Sequence, residues 1–576
     1  MDKRTLWAII LSVVVIGASY FAREFFFPPQ VITPLPPVSS GNNEATLDPE
    51  IAIRSLEEPA KTEEDALAAQ YFVLENDVLK VTISNHGGVA ESILLKKHTI
   101  QDPLDASIRH PIEMVNQNKG DSRAFEISLG NFQERPVLKN TMKVESATEQ
   151  EIVLSRTYIG MDEVPYVLRR SYRVFPGSEY IIEVGVELES LSANAIPLPT
   201  RGSFVYTLTY GPQIGPDFEK LDGQTEYRKY YRFFNGSRDE VGLSNETKYH
   251  EDTLKWAGFV GKYFAVAGIP DNTVYQTVLS NRKLRGTDEP SYLAFSRPPL
   301  KSSVTKDVFK FYVGPKDDRI LIRYNDRANN SSELGGAQLN KLVDDNILLG
   351  WLEYILKLGM ELFYNLTGNW GISIIILTVL SKLILFPLTQ KSFESTAAMQ
   401  KVQPKIAELQ AKYKNDAQQL NARTMELYKK EGVNPLGGCL PMLLQLPIFF
   451  ALYGMFSNHF DLRGALFIEG WITDLSLPES IFQLPFSIPF VNISHLRALP
   501  ILMLVSQMAT TLLNKTPTQG PAAQAKLMSY GMPILFFFIL YNMPSGLLIY
   551  WTLSNVLSAA QQWYISQKKS SPKRSK

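Results

Sequence analysis

Five apolar stretches of about bilayer length crowd the last third of the chain, at 370–388, 437–456, 497–513, 526–541 and 545–564. In hydrocarbon no water satisfies backbone N–H and C=O groups, so apolar runs of roughly 17–25 residues are expected to cross as helices. A sixth run, from about Leu6 to Ala22, follows Lys3 and Arg4. It reads either as a cleaved signal peptide or as a retained anchor over 1–27. Its length, and the lack of a small-x-small site before a polar stretch, favour the anchor.

Lysine and arginine decide which way such a chain is threaded. Between the first two stretches of the last third, Lys391, Lys401, Lys405, Lys412, Lys414, Arg423, Lys429 and Lys430 crowd one loop. Lys515 and Lys526 follow the third, and 568–576 forms a basic tail. All three segments are expected on the cytoplasmic side, as are both termini. Alternation of six spans gives the same answer.

Between the anchor and the spans the pattern differs. Residues 28–70 are rich in Pro, Ser, Asn and acidic residues and poor in aromatics, which predicts a flexible linker. From 71 to 340 apolar residues recur with period two around turn residues such as Pro176, Gly177 and Ser178. This predicts a large antiparallel β domain outside the membrane, most simply two packed sheets. At about 343–364 the period becomes helical, with Ile347, Trp351, Ile355, Leu358 and Leu362 on one face and Asp345, Glu353, Lys357 and Glu361 mostly away from it. Such a helix is expected to lie in the membrane surface; the alternative is a surface helix of the β domain. In the polar loop 390–434, Met399, Val402, Ile406, Leu409 and Tyr413 repeat at three and four residues, and Leu420, Leu427 and Tyr428 resume after 414–416. The expected structure is a helical hairpin with a narrow apolar seam.

Lys382 stands inside the first of the five stretches. A charge near the middle of a span costs roughly 2.5–3.5 kcal/mol on insertion scales. One reading is snorkelling toward cytoplasmic headgroups. The other follows from Thr378, Ser381 and Thr389, which fall near the same face. A lysine on a polar stripe points into a hydrated cavity. Gln445, Ser506, Gln507, Trp551, Asn555, Ser558 and Gln562 could line that cavity or serve as interhelical hydrogen-bonding groups. Pro441, Pro447 and Pro533 are expected to bend their helices.

Net formal charge is zero, with 58 basic and 58 acidic side chains, so no global field points to nucleic acid. Cys439 is the only cysteine, which excludes an internal disulfide and any multi-cysteine metal site. The six histidines form no H-E-x-x-H pattern and no G-x-x-x-x-G-K-[ST] loop occurs. No enzyme, cofactor or metal is expected.

The stretches "LSKLILFPLT", "MQKVQPKIAELQAKY", "EGVNPLGGCLPMLLQLPIFFALY" and "MPSGLLIYWTLSNVLSAAQQ" resemble the YidC family of bacterial membrane-protein insertases, over about 343–562. The anchor, linker and β domain resemble its Gram-negative form. The resemblance implies a multi-pass α-helical membrane protein: the anchor, a five-helix insertase core within 341–567, and a periplasmic all-β supersandwich-like domain. It implies a hydrophilic groove open to cytoplasm and lipid, with Lys382 where the family usually carries arginine. Thr378 falls on the family's important threonine, Gln445 on a groove glutamine, and Trp551 on an aromatic contact position; Asn555 shares the stripe of Trp551. Leu446, Phe450, Phe537 and Ile539 are candidates for its hydrophobic slide. The implied function is insertion and chaperoning of nascent membrane proteins, alone or with the Sec translocon, by a protein functional as a monomer and in contact with lipids. Ribosome contact through the hairpin and basic tail is a further expectation. A secondary transporter of an anionic substrate and a scaffold acting through its β domain are the rival readings.

Overall fold

The computed structural model describes residues 68–570 except 102–107, 116–122, 133–136, 160–163, 193–203, 212–213, 216–220, 222–225, 283–289, 300–301, 345–348, 414–415, 434–439, 459, 489–492 and 515–529. The anchor, nearly all of the linker, and 571–576 of the tail lie outside the described residues. So do Ile347 and Asp345 of the expected amphipathic helix.

Period-two patterning builds the β half. In Pro165–Val174 the even residues Tyr166, Leu168, Arg170, Tyr172 and Val174 are buried, and all but one of the odd residues are half-buried. This strand pairs antiparallel with Ile181–Ser190 across the Pro176–Ser178 turn. Gly177 has φ of +80° there, a conformation a side chain would strain. The pair lies within a nine-stranded antiparallel sheet running from Ser237–Glu240 to Lys143–Ala147. Five further strands, among them Tyr206–Tyr210 and Tyr292–Ser296, form a second sheet, and Tyr71–Glu75 opens a third of four strands. All three share one core. Phe125 packs edge-on against Phe311 with centroids 4.9 Å apart and against Tyr210 at 5.5 Å, joining the two larger sheets.

Two buried charges hold this core together. Arg170 is wholly buried, and its guanidinium donates to the carbonyls of Gly87 (2.9 Å), Gly88 and Phe125 (2.5 Å). Asp307, also buried, accepts from Tyr206 Oη at 2.6 Å and Arg297 Nε at 2.8 Å. Burial raises the Asp307 carboxyl against the pull of these two partners.

The helical half follows: α1 (Gly350–Thr367), α2 (Trp370–Lys412), α3 (Ala417–Glu431), α4 (Leu440–Asn458), α5 (Ala498–Asn514), α6 (Met532–Leu540) and α7 (Ser545–Ser570). Its boundaries differ from the sequence reading in several places, each for a local reason. The β domain extends to Asp344, whose carboxylate takes Lys229 Nζ at 2.6 Å, Tyr231 Oη at 2.7 Å and Arg238 Nη1 at 3.1 Å. The amphipathic helix therefore starts at Gly350 rather than 343, and it ends at Gly368 in the left-handed conformation. α2 does not stop at 388 but runs on as one helix into the first arm of the hairpin. Its 43 residues reach roughly 65 Å at 1.5 Å per residue, about twice a hydrocarbon core. The change from apolar to polar sequence near Thr389 does not end the helix. Pro441 and Pro533 fall in the first turns of α4 and α6, where no helical hydrogen bond is lost, so they start helices instead of bending them. Pro447 is interior to α4, and Pro387 and Pro404 are interior to α2. The described helix of the fourth stretch covers only 532–540 of the expected 526–541, and α7 runs six residues beyond 564. Among the described residues α2 alone is both long and apolar enough to cross a bilayer; Gln445–Ser457 and Ala498–Leu512 are shorter apolar stretches.

α2 and α3 form the hairpin. Asp416 caps α3 by accepting from Gln419 N at 2.9 Å. Met399, Val402, Ile406 and Tyr428 make a small buried seam, while Leu409, Tyr413 and Leu420 are half-buried. Lys405 bridges to Glu431 at 2.6 Å.

The β domain docks on the loop that joins α4 to α5. Lys262 Nζ donates to the Ser476 carbonyl at 2.8 Å, and Tyr263 Oη to Ser476 Oγ at 2.6 Å. Arg463 Nη1 donates to Thr99 O at 3.0 Å, and Phe460 packs edge-on against His98 with centroids 4.7 Å apart. His98 Nε2 lies 2.9 Å from Tyr180 Oη. Burial, then the nearby Arg463 guanidinium, lower the His98 imidazole from 6.5 to about 4.

Candidate functional site

The helical half has its own core, in which α4 and α7 meet through Leu452, Met455, Phe456, Leu547, Leu548 and Trp551. Close approach is set by small residues. A Cβ on Gly546 would stand 2.5 Å from the Phe456 ring, and one on Gly454 only 2.3 Å from Glu353 Oε1. Glu353 is thus buried where α1 crosses α4, beside Leu356 and Met360. The opposite face of α1 is apolar and open. Trp351, Tyr354, Ile355, Leu358, Leu362 and Leu366 are each more than half exposed. A water-soluble helix would turn those faces the other way.

Lys382 lies three turns into α2 and is half-buried. Its ammonium donates to Ser558 Oγ on α7 at 2.8 Å, and Ser558 Oγ donates to its own helix at Ser554 O. Among the described residues no carboxylate stands within ion-pair distance of Lys382. Two turns further along α2, and one along α7, Thr389 and Gln561 pair side chain to side chain at 2.9 Å, and Gln561 Nε2 also reaches Phe386 O at 3.4 Å. These contacts form a polar seam between α2 and α7.

A second seam joins α7 to α5. Trp551 Nε1 donates to Gln507 Oε1 at 3.2 Å, and Asn555 Nδ2 to Ser506 Oγ at 3.2 Å. Thr510 Oγ1 reaches the Asn555 carbonyl at 3.3 Å. The Trp551 ring also packs edge-on against Phe449 of α4 at 4.7 Å and tilted against Phe536 of α6 at 5.8 Å. Trp551 is buried, so this position ties four helices together.

Helix α7 thus carries Trp551 and Asn555 and also meets Lys382 of α2 through Ser558, but among the described residues no hydrogen bond joins Lys382 to Trp551 or Asn555. Thr378 is fully buried and returns its hydroxyl to Ile374 O at 2.6 Å. Ser381 does the same with Thr378 O at 2.8 Å. Gln445 is half-buried on α4, and among the described residues it makes no hydrogen bond to either seam. Of the slide candidates, Phe450 and Ile539 are exposed and Leu446 and Phe537 half-buried. Sequence reasoning passed over Gln561 and Thr510. Gln561 sits three residues after Ser558, and the i, i+3 spacing could have placed it on the same face. Thr510 contacts a backbone carbonyl, for which sequence carries no signal.

A family model described as 60Kd inner membrane protein matches residues 362–573, and one described as YidC periplasmic domain matches residues 72–358. A solved active YidC insertase with its first transmembrane domain resolved is 18% identical and aligns with a TM-score of 0.35, covering 88% of this chain and 93% of that one. The membrane protein insertase YidC of Treponema denticola is 35% identical, covering 98% of this chain and 99% of its own length. That of Treponema pallidum is 30% identical, covering 98% of both. Two family models that together account for the β and helical halves, and relatives matched end to end, establish that the chain belongs to the YidC family of membrane protein insertases.

Proposed function

We propose that the chain inserts newly made membrane proteins through a polar cavity whose charged member is Lys382, with Thr378, Gln445, Trp551 and Asn555 around it. One observation carries the reading. An ammonium is held inside a long apolar helix by one hydroxyl, with no carboxylate beside it among the described residues. An unneutralised charge in that position is costly unless water or an incoming anion reaches it. A client with a short outward segment must carry polar and acidic groups across hydrocarbon. A wet cationic cavity partway across shortens the dry path and attracts the carboxylates. The client helix then leaves sideways, driven by burial of its own apolar surface in lipid. Phe450 and Ile539, with Leu446 and Phe537, form the slide along which it moves. No nucleotide and no covalent step is required.

In this reading six spans cross the inner membrane with both termini cytoplasmic and the β domain, a supersandwich, outside. The open apolar face of α1 lies along the bilayer surface. The hairpin and basic tail meet ribosomes, the core acts as a monomer, and some clients arrive by way of the Sec translocon.

The test is reconstitution of the purified full chain in protein-free liposomes, with a small single-span client. Protease protection of the translocated segment supports the reading. No insertion above empty liposomes, with uptake of a small anion instead, would replace it with the transporter.

A further inference from the structure

In the loop between α4 and α5, strands Phe482–Ile488 and Ile493–Leu496 form a two-stranded ribbon. Phe482 pairs directly with Leu496, so both side chains share one face. Both are exposed, as is neighbouring Ile481, at 58, 44 and 57%. From 481 to 496 the sequence holds no Asp, Glu, Lys or Arg. A ribbon of this composition facing water would be an open apolar edge of the kind soluble proteins avoid.

The base of the ribbon is locked at one height. Tyr541 Oη donates to His495 O at 2.7 Å, and Arg497 Nη1 donates to Tyr541 O at 3.1 Å with its guanidinium over the Tyr541 ring. Glu479 accepts from Trp471 Nε1 at 3.0 Å and from Leu499 N at 2.8 Å, fastening the preceding loop to the first turn of α5. Tyr, Trp and Arg at one level are the side chains that favour a membrane–water boundary. The exposed apolar surface then continues from Leu496 into α5 through Ile501, Leu502 and Val505.

We propose that this ribbon is an interfacial anchor whose Phe482 and Leu496 side chains enter the outer leaflet. The occupant of its open face is lipid. The inference rests on reading α5 as a span. Its depth is limited by the backbone. A two-stranded ribbon leaves outer N–H and C=O groups unpaired, which hydrocarbon does not tolerate. The strands therefore lie among the headgroups and only side chains reach the acyl boundary, about 5–10 Å deep at most. Pro485 reduces the number of open donors by one. Val274, an exposed apolar residue of the β domain outside this surface, is expected to stay in water.

The test uses the purified full chain in liposomes of brominated phosphatidylcholine, without other proteins. In a Cys439→Ser background, one environment-sensitive fluorophore is placed in turn at Phe482→Cys, Leu496→Cys, Val505→Cys and Val274→Cys. Bromines at shallow acyl positions should quench Phe482 and Leu496 to at least about half the extent seen at Val505, with Val274 unaffected. A water-soluble quencher should show the reverse order. Phe482 and Leu496 behaving like Val274 while Val505 is quenched would overturn the anchor, leave the span intact, and assign the open face to a protein partner. Failure at Val505 itself would overturn both. Two independent label sites on the ribbon guard against one disturbed position.

Discussion

Replacing Lys382 separates a working charge from a tolerated one. Lys382 stands twelve residues past Trp370, roughly 18 Å along α2 at 1.5 Å per residue. A client carboxylate at about 4 Å would gain on the order of 4 kcal/mol at an effective dielectric of 20. In the hydrated cavity proposed above, solvent screening and the bond to Ser558 would reduce this to about 1–2 kcal/mol. Lys382→Ala should therefore slow insertion of a client with one acidic outward residue about five- to thirtyfold. A matched neutral client should change by less than about twofold. Lys382→Arg keeps the charge and should stay near wild type, although its planar fork is not matched to a single hydroxyl. Lys382→Glu reverses the attraction and should be the most impaired. Ser558→Ala removes the ammonium's hydrogen-bond acceptor but not its charge, so the preference against the neutral client should persist. The assay is insertion of the paired clients into proteoliposomes at matched protein levels, read by protease protection. If Lys382 only snorkels, the alanine variant loses an insertion cost of roughly 2.5–3.5 kcal/mol and works as well as wild type on both clients. Equal rates for the two clients with both proteins would refute the charged cavity.

Three other perturbations test the architecture around it. Gly454→Ala puts a methyl group 2.3 Å from Glu353 Oε1, so the buried carboxylate must leave its place; a loss of about 1–3 kcal/mol is expected, read as a lower Tm in detergent, and an unchanged Tm would contradict the close packing of Glu353 on Gly454. His98 is neutral in the fold and its imidazole is lowered to about 4 against 6.5 when free. The unfolded chain then binds the extra proton first, so the stability this contributes is complete above pH 6.5 and is lost as pH falls toward 4. Because Phe460 and Arg463 face His98, acid should loosen the docking of the β domain, and His98→Phe should flatten this acid limb in thermal unfolding. Removing 399–428, the seam-bearing part of the hairpin, should impair client insertion while the remaining helices still assemble; full insertion by a folded deletion variant would remove the hairpin from client capture.

Much of this protein is written in periodicity, which depends on near neighbours along the chain. Runs of apolar residues announced helices because each satisfies its own backbone, and alternation announced the strands of Pro165–Val174 and Ile181–Ser190 because pleating sends neighbours to opposite faces. The apolar stripe of α1 and the seam through Met399, Val402 and Ile406 were legible for the same reason. Lys382 is visible in sequence as a charge within an apolar run and Ser558 as one polar group on a stripe, but that Ser558, 176 residues away, is its acceptor is decided only by packing. The continuity of α2 past Thr389 also escaped the sequence, because polarity reports what surrounds a helix and not whether its hydrogen bonds continue. The burial of Glu353 escaped for a different reason. It belongs to the polar face of an amphipathic pattern, and only the crossing of α1 over Gly454 turns that face inward. The docking of Lys262 and Tyr263 on Ser476 joins residues more than 200 positions apart. Local order along the chain decides which elements form; which polar groups meet is decided by packing, where small residues permit approach and distant hydroxyls and carbonyls supply the partners.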